Sequence, residues 1–262
     1  MDVTSSDGTT IHAEEAGEGP PILFVPGSTL DASAVAGVSA ILAPRFRCVA
    51  MDRRGRGKSG DAPSHSLAQE VDDVLSLARA IGGPLTLFGH SYGGLCVLKA
   101  ASRCPELASL ILYEPPIDNP IAPETLKMMR AALDAGAPRE ALLVAMERVV
   151  QIRPDELAIV KTLPDEWFET RAATTVREME SVDAFDPERD LRLPDDLTVS
   201  VLLGSESTDA MRRNAERLLR DLPRSVLHTL EGQAHNALPF APDLIARATD
   251  EHMQRLRTVR CS

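Results

Sequence analysis

The chain has 262 residues, 44% of them hydrophobic, and a formal net charge of −11 from 28 basic and 39 acidic side chains. This length and apolar content suit one large α/β domain or a domain carrying an insertion. The acidic excess argues against a nucleic-acid or anionic-membrane partner. The first residues, Met1-Asp2-Val3-Thr4-Ser5-Ser6, lack a basic and then apolar leader, and no apolar run approaches a bilayer's thickness, so a soluble, cytoplasmic protein is expected. Cys48, Cys96, Cys104 and Cys261 have neither C-x-x-C spacing nor a His cluster nearby. They read as reduced, mostly buried thiols rather than as disulfides or metal ligands.

In chain order, residues 3–16 read as two short strands joined at the turn composition Ser6-Asp7-Gly8. Ile22-Leu23-Phe24-Val25 is a continuous apolar strand, the pattern of a sheet covered on both faces. It ends in Pro26-Gly27-Ser28-Thr29. An Ala-rich helix over 32–42 and a strand over 46–51 follow. The strand opens into Asp52-Arg53-Arg54-Gly55-Arg56-Gly57-Lys58-Ser59-Gly60, whose glycine spacing does not match a phosphate-binding G-x-x-x-x-G-K-[ST] loop, so it reads as a solvated loop. Apolar residues at helical spacing over 67–81 stop at Gly82-Gly83-Pro84.

Next comes Leu85-Thr86-Leu87-Phe88-Gly89-His90-Ser91-Tyr92-Gly93-Gly94, an apolar run that stops at G-x-S-x-G and passes at once into a helix-compatible segment. A serine at the apex of so tight a turn has strained dihedrals, and Gly89 and Gly93 leave it room. Its hydroxyl then stands above the sheet, beside the free N–H groups of a helix start. A helix over 92–103 and a buried strand at Leu110-Ile111-Leu112-Tyr113 complete a strand, helix, strand rhythm that implies right-handed crossovers and a parallel sheet.

From 117 to 190 the rhythm breaks. Helical segments over 123–135, 138–153, 155–163 and 164–182, punctuated by Pro and carrying Trp167 and four Met, replace it. This block reads as a helical cap. The rhythm resumes with a strand over 197–204, a charged helix over 209–222, a strand over 225–230, the loop Glu231-Gly232-Gln233-Ala234-His235-Asn236 and a last helix over 242–257.

Four sites in order, Pro26-Gly27-Ser28, the Asp52–Ser59 stretch, Gly89-His90-Ser91-Tyr92-Gly93 and Gly232-Gln233-Ala234-His235, give the chain a resemblance to the α/β-hydrolase superfamily over nearly its whole length. The resemblance implies a mostly parallel central sheet with helices on both faces, a core of residues 1–116 and 191–262, and a helical cap (117–190) inserted after the sixth strand. It also implies Ser91 as nucleophile, His235 as general base, and backbone N–H groups of Ser28 and Tyr92 as the oxyanion hole, with Thr29 the alternative to Ser28. Pro26 stands where the family usually has His. The other histidines, His12, His65, His90, His228 and His252, read as surface or structural.

The acid departs from the family's commoner pattern, because its usual position after the 197–204 strand is Ser207. Some relatives carry the acid at the end of the preceding strand, where Glu114 stands, so Glu114 is the first choice. Asp209, Glu206 and a triad without an acid remain alternatives. A serine nucleophile disfavours dehalogenase and epoxide-hydrolase chemistry, which use Asp in this superfamily. The reading is therefore a cofactor-independent, metal-independent serine hydrolase acting on a small, moderately apolar ester, thioester or lactone, with carbon–carbon cleavage also open. A non-hydrolytic elimination or cyclisation, or a ligand-binding protein with weak turnover, is the rival reading.

Overall fold

The computed structural model describes residues 1–261, and the side chains of Val259, Arg260 and Cys261 lie outside what it describes. Eight strands form one sheet: β1 (Asp2–Thr4), β2 (Thr10–Ala16), β3 (Pro21–Val25), β4 (Arg47–Met51), β5 (Leu85–His90), β6 (Leu107–Tyr113), β7 (Thr198–Gly204) and β8 (Ser225–Leu230). Their spatial order is β1-β2-β4-β3-β5-β6-β7-β8. The first two pairings, β1 with β2 and β2 with β4, are antiparallel, and the remaining five are parallel.

Strand alternation sorts the core into two layers. Leu23 and Val25 of β3, Leu110 and Leu112 of β6, and Val199 and Val201 of β7 face one layer. It is closed by α2 (Leu67–Ile81), α3 (Tyr92–Ala101) and α10 (Asp209–Asp221). Ile22 and Phe24, Ile111 and Tyr113, and Leu202 face the other, closed by α1 (Ala36–Leu42), the short α11 (Ala237–Phe240) and α12 (Pro242–Cys261). The strands are buried on both faces, which is why they read as unbroken apolar runs.

Between β6 and β7 lie α4 (Pro123–Asp134), α5 (Pro138–Val144), α6 (Pro154–Val160), α7 (Asp165–Glu169), α8 (Ala172–Ser181) and α9 (Pro187–Asp190); α4 to α8 pack on a third cluster around Met129, Leu142, Phe168 and Val176, while Phe185 and Leu191 beside α9 join the first layer. Two of the expected helices here are broken. The 138–153 helix widens into a π-type turn over Ala145–Val150 and ends at Gln151 with φ +55°. The widening turns two successive residues, Val149 and Val150, toward the same cavity. The 164–182 helix breaks at Thr170-Arg171, where Arg171 reaches back to Thr29 O (3.0 Å) and Asp31 (2.6 Å).

Strand order reverses direction around β3. The chain runs outward from β3 to β4, then returns to the opposite side of β3 as β5. The crevice beyond the carboxyl ends of β3 and β5 is therefore a topological switch point, where open α/β sheets bind ligands. Gly27-Ser28 and Ser91 both lie at that edge. No helix among the described residues is long and apolar enough to cross a membrane.

Candidate active site

Ser91 follows β5 directly and has φ +52° and ψ −125°, a conformation that L-residues rarely adopt. The turn closes because its neighbours are glycine. A Cβ on Gly93 would stand 2.2 Å from Val25 O, and one on Gly89 would stand 2.4 Å from a Val97 methyl and 2.7 Å from Gly94 Cα. Thr29, Ser91 and Glu114 are three of the four non-glycine residues with positive φ among the described residues, and each follows a strand end at this edge.

Ser91 Oγ lies 2.9 Å from His235 Nε2, and His235 Nδ1 lies 2.8 Å from Glu114 Oε2. The carboxylate accepts only, so Nδ1 carries the hydrogen and Nε2 is free to accept the Ser91 proton. Glu114 is 3% exposed and, among the described residues, pairs with no Lys or Arg. Its other oxygen accepts from the Gly204 N–H at 2.8 Å and from the Ser207 hydroxyl. Thus the family's commoner acid position holds a serine that donates to the carboxylate at the end of the neighbouring strand. Asp209 is exposed on the first turn of α10, and Glu206 is exposed and paired with Arg153 at 2.7 Å. Neither reaches His235 as placed.

The loop bearing His235 is pinned by residues not singled out from the sequence. Tyr113 donates its hydroxyl to Ala234 O and accepts from the Ala237 N–H at 3.0 Å, bracketing His235 on both sides. Next to Ser91, His90 donates from Nε2 to His235 O at 2.9 Å and stacks on Tyr113 with ring centroids 4.8 Å apart. Burial pushes the His90 pKa well below the usual histidine range, with the nearby His235 adding to the effect, so His90 is neutral. Tyr113 lies immediately before Glu114, and the apolar pattern of β6 had marked it only as core.

Ser28 and Tyr92 flank the Ser91 hydroxyl in one cavity. Neither backbone N–H has a protein acceptor among the described residues, and that of Tyr92 is the first of α3. The Ser28 N–H belongs to the same peptide unit as Gly27 O, which accepts from Arg53 at 3.1 Å, while Pro26 O accepts from the same guanidinium at 2.9 Å. Arg53 therefore fixes the plane in which the Ser28 N–H points.

Arg53 also overturns the reading of 52–60 as a solvated loop. Arg53, Arg54 and Arg56 are 0%, 0% and 3% exposed. Each is matched to buried acids: Arg53 to Glu70 (2.8 Å) and Glu178 (2.9 Å), Arg54 to Asp73 (2.7 Å), and Arg56 to Glu178 (2.7 Å). Paired in this way, the charges tolerate burial that an isolated arginine would not. Glu178 lies on α8, so the network ties the helical insert to the Ser28 loop.

Cys48, Cys96 and Cys104 are free and buried. Among the described residues, His228 pairs with Glu251, and the buried His252 bridges Ser200 and Ser109 at 2.8 Å each, which are structural roles.

Comparison with known proteins agrees with this architecture. Residues 22–248 match a model of the alpha/beta hydrolase family. An α/β hydrolase of known structure from Sphaerobacter thermophilus is 31% identical, covers 97% of this chain with all of its own, and superposes with a TM-score of 0.85. An enol-lactonase from Burkholderia xenovorans, at 21% identity and a TM-score of 0.78, shares the fold. Among curated relatives, a 2-(acetamidomethylene)succinate hydrolase from Mesorhizobium japonicum is 30% identical over 133 residues, 49% of this chain and 46% of its own. An N-formylmaleamate deformylase from Pseudomonas putida is 32% identical over 121 residues, 44% of this chain and 45% of its own. The chain thus spans about half the length of the curated relatives it matches. With a family match over most of its length and a full-length structural relative, the chain belongs to the α/β hydrolase family.

Proposed function

We propose that this chain is a serine hydrolase that cleaves esters of small, moderately apolar molecules through an acyl-enzyme on Ser91. The observation that carries the reading is the continuous hydrogen-bond chain from Ser91 Oγ through His235 to Glu114, at 2.9 and 2.8 Å. His235 takes the Ser91 proton as Oγ attacks the substrate carbonyl, and Glu114 stabilises the imidazolium that results. The unengaged N–H groups of Ser28 and Tyr92 receive the oxyanion in the tetrahedral intermediate. His235 then protonates the leaving group, and water, activated by the same imidazole, hydrolyses the acyl-enzyme. The helical insert acts as a cap, closing the crevice with Val149, Val150 and Met179.

The rival reading of a ligand-binding protein with weak turnover is weakened by Glu114, which stands 2.8 Å from His235 Nδ1 where an acid would be needed. A second reading, amide cleavage by the same groups, draws support from the relatives named as a deformylase and as a hydrolase of an acetamido compound. The test is intact-mass labelling with a serine-directed fluorophosphonate, run beside hydrolysis of p-nitrophenyl acetate. The expected result is one adduct per chain and ester turnover, both lost in Ser91→Ala while its circular dichroism spectrum is unchanged. Folded wild type that neither labels nor turns over ester overturns the reading.

A further inference from the structure

The space around Ser91 is divided into two lobes. Both are bordered by Ser28, Ser91, Val150, Met179 and His235, and they lie on opposite faces of the sheet's carboxyl edge. The smaller, with a cavity volume of about 30 Å³, is walled by Pro116, Ile121, Val149, Val182 and Met211, on the side of the α2, α3 and α10 layer. The larger, about 200 Å³, is walled by Leu30, Met146, Leu163, Trp167 and Phe240, on the side where the His235 loop meets the residues after β3. Phe240 is 55% exposed and Ile159, which also borders this lobe, is 53% exposed, so the larger lobe opens outward between them.

From these lobes we infer that the enzyme takes uncharged esters with a short acyl group and a longer, apolar alcohol. This deepens the serine-hydrolase reading above and depends on it. His235 must hand its proton to the departing alcohol, and although His235 borders both lobes, the residues that follow it, Asn236, Pro239 and Phe240, border only the larger, so the alcohol is assigned to that side. The acyl chain takes the remaining direction, into the smaller lobe. Roughly 10–15 Å³ admits one water-sized group, so that lobe accommodates an acyl chain of about two to four carbons.

Charge is the second selector. Among the described residues, neither lobe is bordered by Lys, Arg, Asp or Glu. Guanidiniums behind the walls are already committed: Arg53 and Arg56 to Glu70 and Glu178, and Arg171, which touches Thr29 and Trp167 of the larger lobe, to Asp31 at 2.6 Å. A carboxylate on either half of the ester would be buried without a partner, which is strongly unfavourable.

Isomeric esters separate the two halves without changing overall hydrophobicity. Hexyl acetate and ethyl hexanoate have the same atoms and alcohols of similar acidity. With the full chain, kcat/KM is expected to favour hexyl acetate by about 10- to 200-fold, the discrimination available from chain length in an apolar pocket. Replacing ethyl butyrate by monoethyl succinate, or butyl acetate by 4-acetoxybutanoate, is expected to lower kcat/KM by at least about 100-fold. Met211→Ala, or Ile121→Ala should the first variant fold poorly, shifts the ratio toward ethyl hexanoate by about tenfold. Phe240→Ala does not.

Ethyl hexanoate preferred by wild type, succinate accepted as well as butyrate, or a ratio moved by Phe240→Ala and not by the small-lobe variants would each overturn the inference. Fluorophosphonate labelling in the same preparation separates the two levels. A labelled enzyme with the reversed preference, or one that turns over neither isomer, defeats the lobe assignment alone. Folded protein that does not label at Ser91 defeats the hydrolase reading and this inference with it.

Discussion

Two glutamates, Glu114 and Glu178, are buried near the site in opposite surroundings. Glu178, 0% exposed, is held by two guanidiniums, Arg53 at 2.9 Å and Arg56 at 2.7 Å. Glu114, 3% exposed, is held by neutral donors only: the Gly204 N–H, the Ser207 hydroxyl and His235 Nδ1–H. Fixed cations use up the field of the first carboxylate. Neutral donors leave the second carboxylate free to face whichever cation forms nearby, and among the described residues the group placed to become a cation there is His235. Burial alone would have put both acids forward as functional; the kind of partner separates a structural carboxylate from a catalytic candidate.

The sharpest break in that comparison is Glu114→Gln. The amide keeps most of the packing but can hold His235 in the wrong tautomer and cannot stabilise an imidazolium, so kcat is expected to fall by about 10²–10⁴ with stability little changed. Steady-state kinetics beside denaturant unfolding checks this. A loss below threefold would remove Glu114 from the mechanism.

Glu178→Ala should reverse the pattern. It strands Arg53 and Arg56 in the interior, so a stability loss of roughly 3–5 kcal/mol is expected in urea unfolding. Activity should fall less than in Glu114→Gln, through loosening of the Ser28 loop. Acid titration gives the same contrast without a cavity. Burial raises the Glu178 carboxyl pKa, but Arg53 and Arg56 outweigh it and hold the group at about 2, against an ordinary 4.5. A depressed carboxyl pKa means the unfolded chain binds the proton first. The contribution of Glu178 is therefore complete above about pH 4.5 and is lost as pH falls from there toward 2. Glu178→Gln should flatten the unfolding free energy over that window; an unchanged slope would show that other groups govern acid unfolding.

The same two acids mark what was legible in the sequence. Strand β5, helix α2 and the Ser91 turn were readable because local patterns determine them: an apolar run, a 3.6-residue period ended by glycine, and small residues around a strained apex. The order of Ser91, Glu114 and His235 was visible only as a family resemblance, which also put Glu114 ahead of Asp209 and Glu206; the contact that sets Glu114 beside His235 is a product of the sheet. Adjacent parallel strands bring the ends of β6 and β7 side by side, a nonlocal fact that no spacing encodes. The Arg53 and Arg56 network was misread for the same reason, because their partners Glu70 and Glu178 lie 17 and 122 residues away. In the helical insert, Pro residues marked the helix starts at 123 and 138 correctly, and the start expected at 155 falls one residue after the observed start at Pro154. The widening at Ala145–Val150 and the break at Arg171 respond to the cavity and to Asp31, which are also distant in sequence.

Ser207 offers the finest test of the two-glutamate comparison. If neutral donors are what leave Glu114 free to serve His235, removing one of them should perturb the acid without unseating it. In Ser207→Ala the carboxylate keeps the Gly204 N–H and His235 but loses a hydroxyl donor in a site where Ser207 is 6% exposed. Hydrogen bonds to a charged group are worth about 1.5–3 kcal/mol, and part of that loss is felt in the transition state, where Glu114 faces the imidazolium. The expected result is a loss of about tenfold in kcat/KM, while fluorophosphonate labelling still reaches one adduct per chain. A variant with unchanged kcat/KM would place Ser207 among the packing residues. One that is slower yet fully labelled would show that the serine at the more usual acid position steadies the carboxylate of the neighbouring strand.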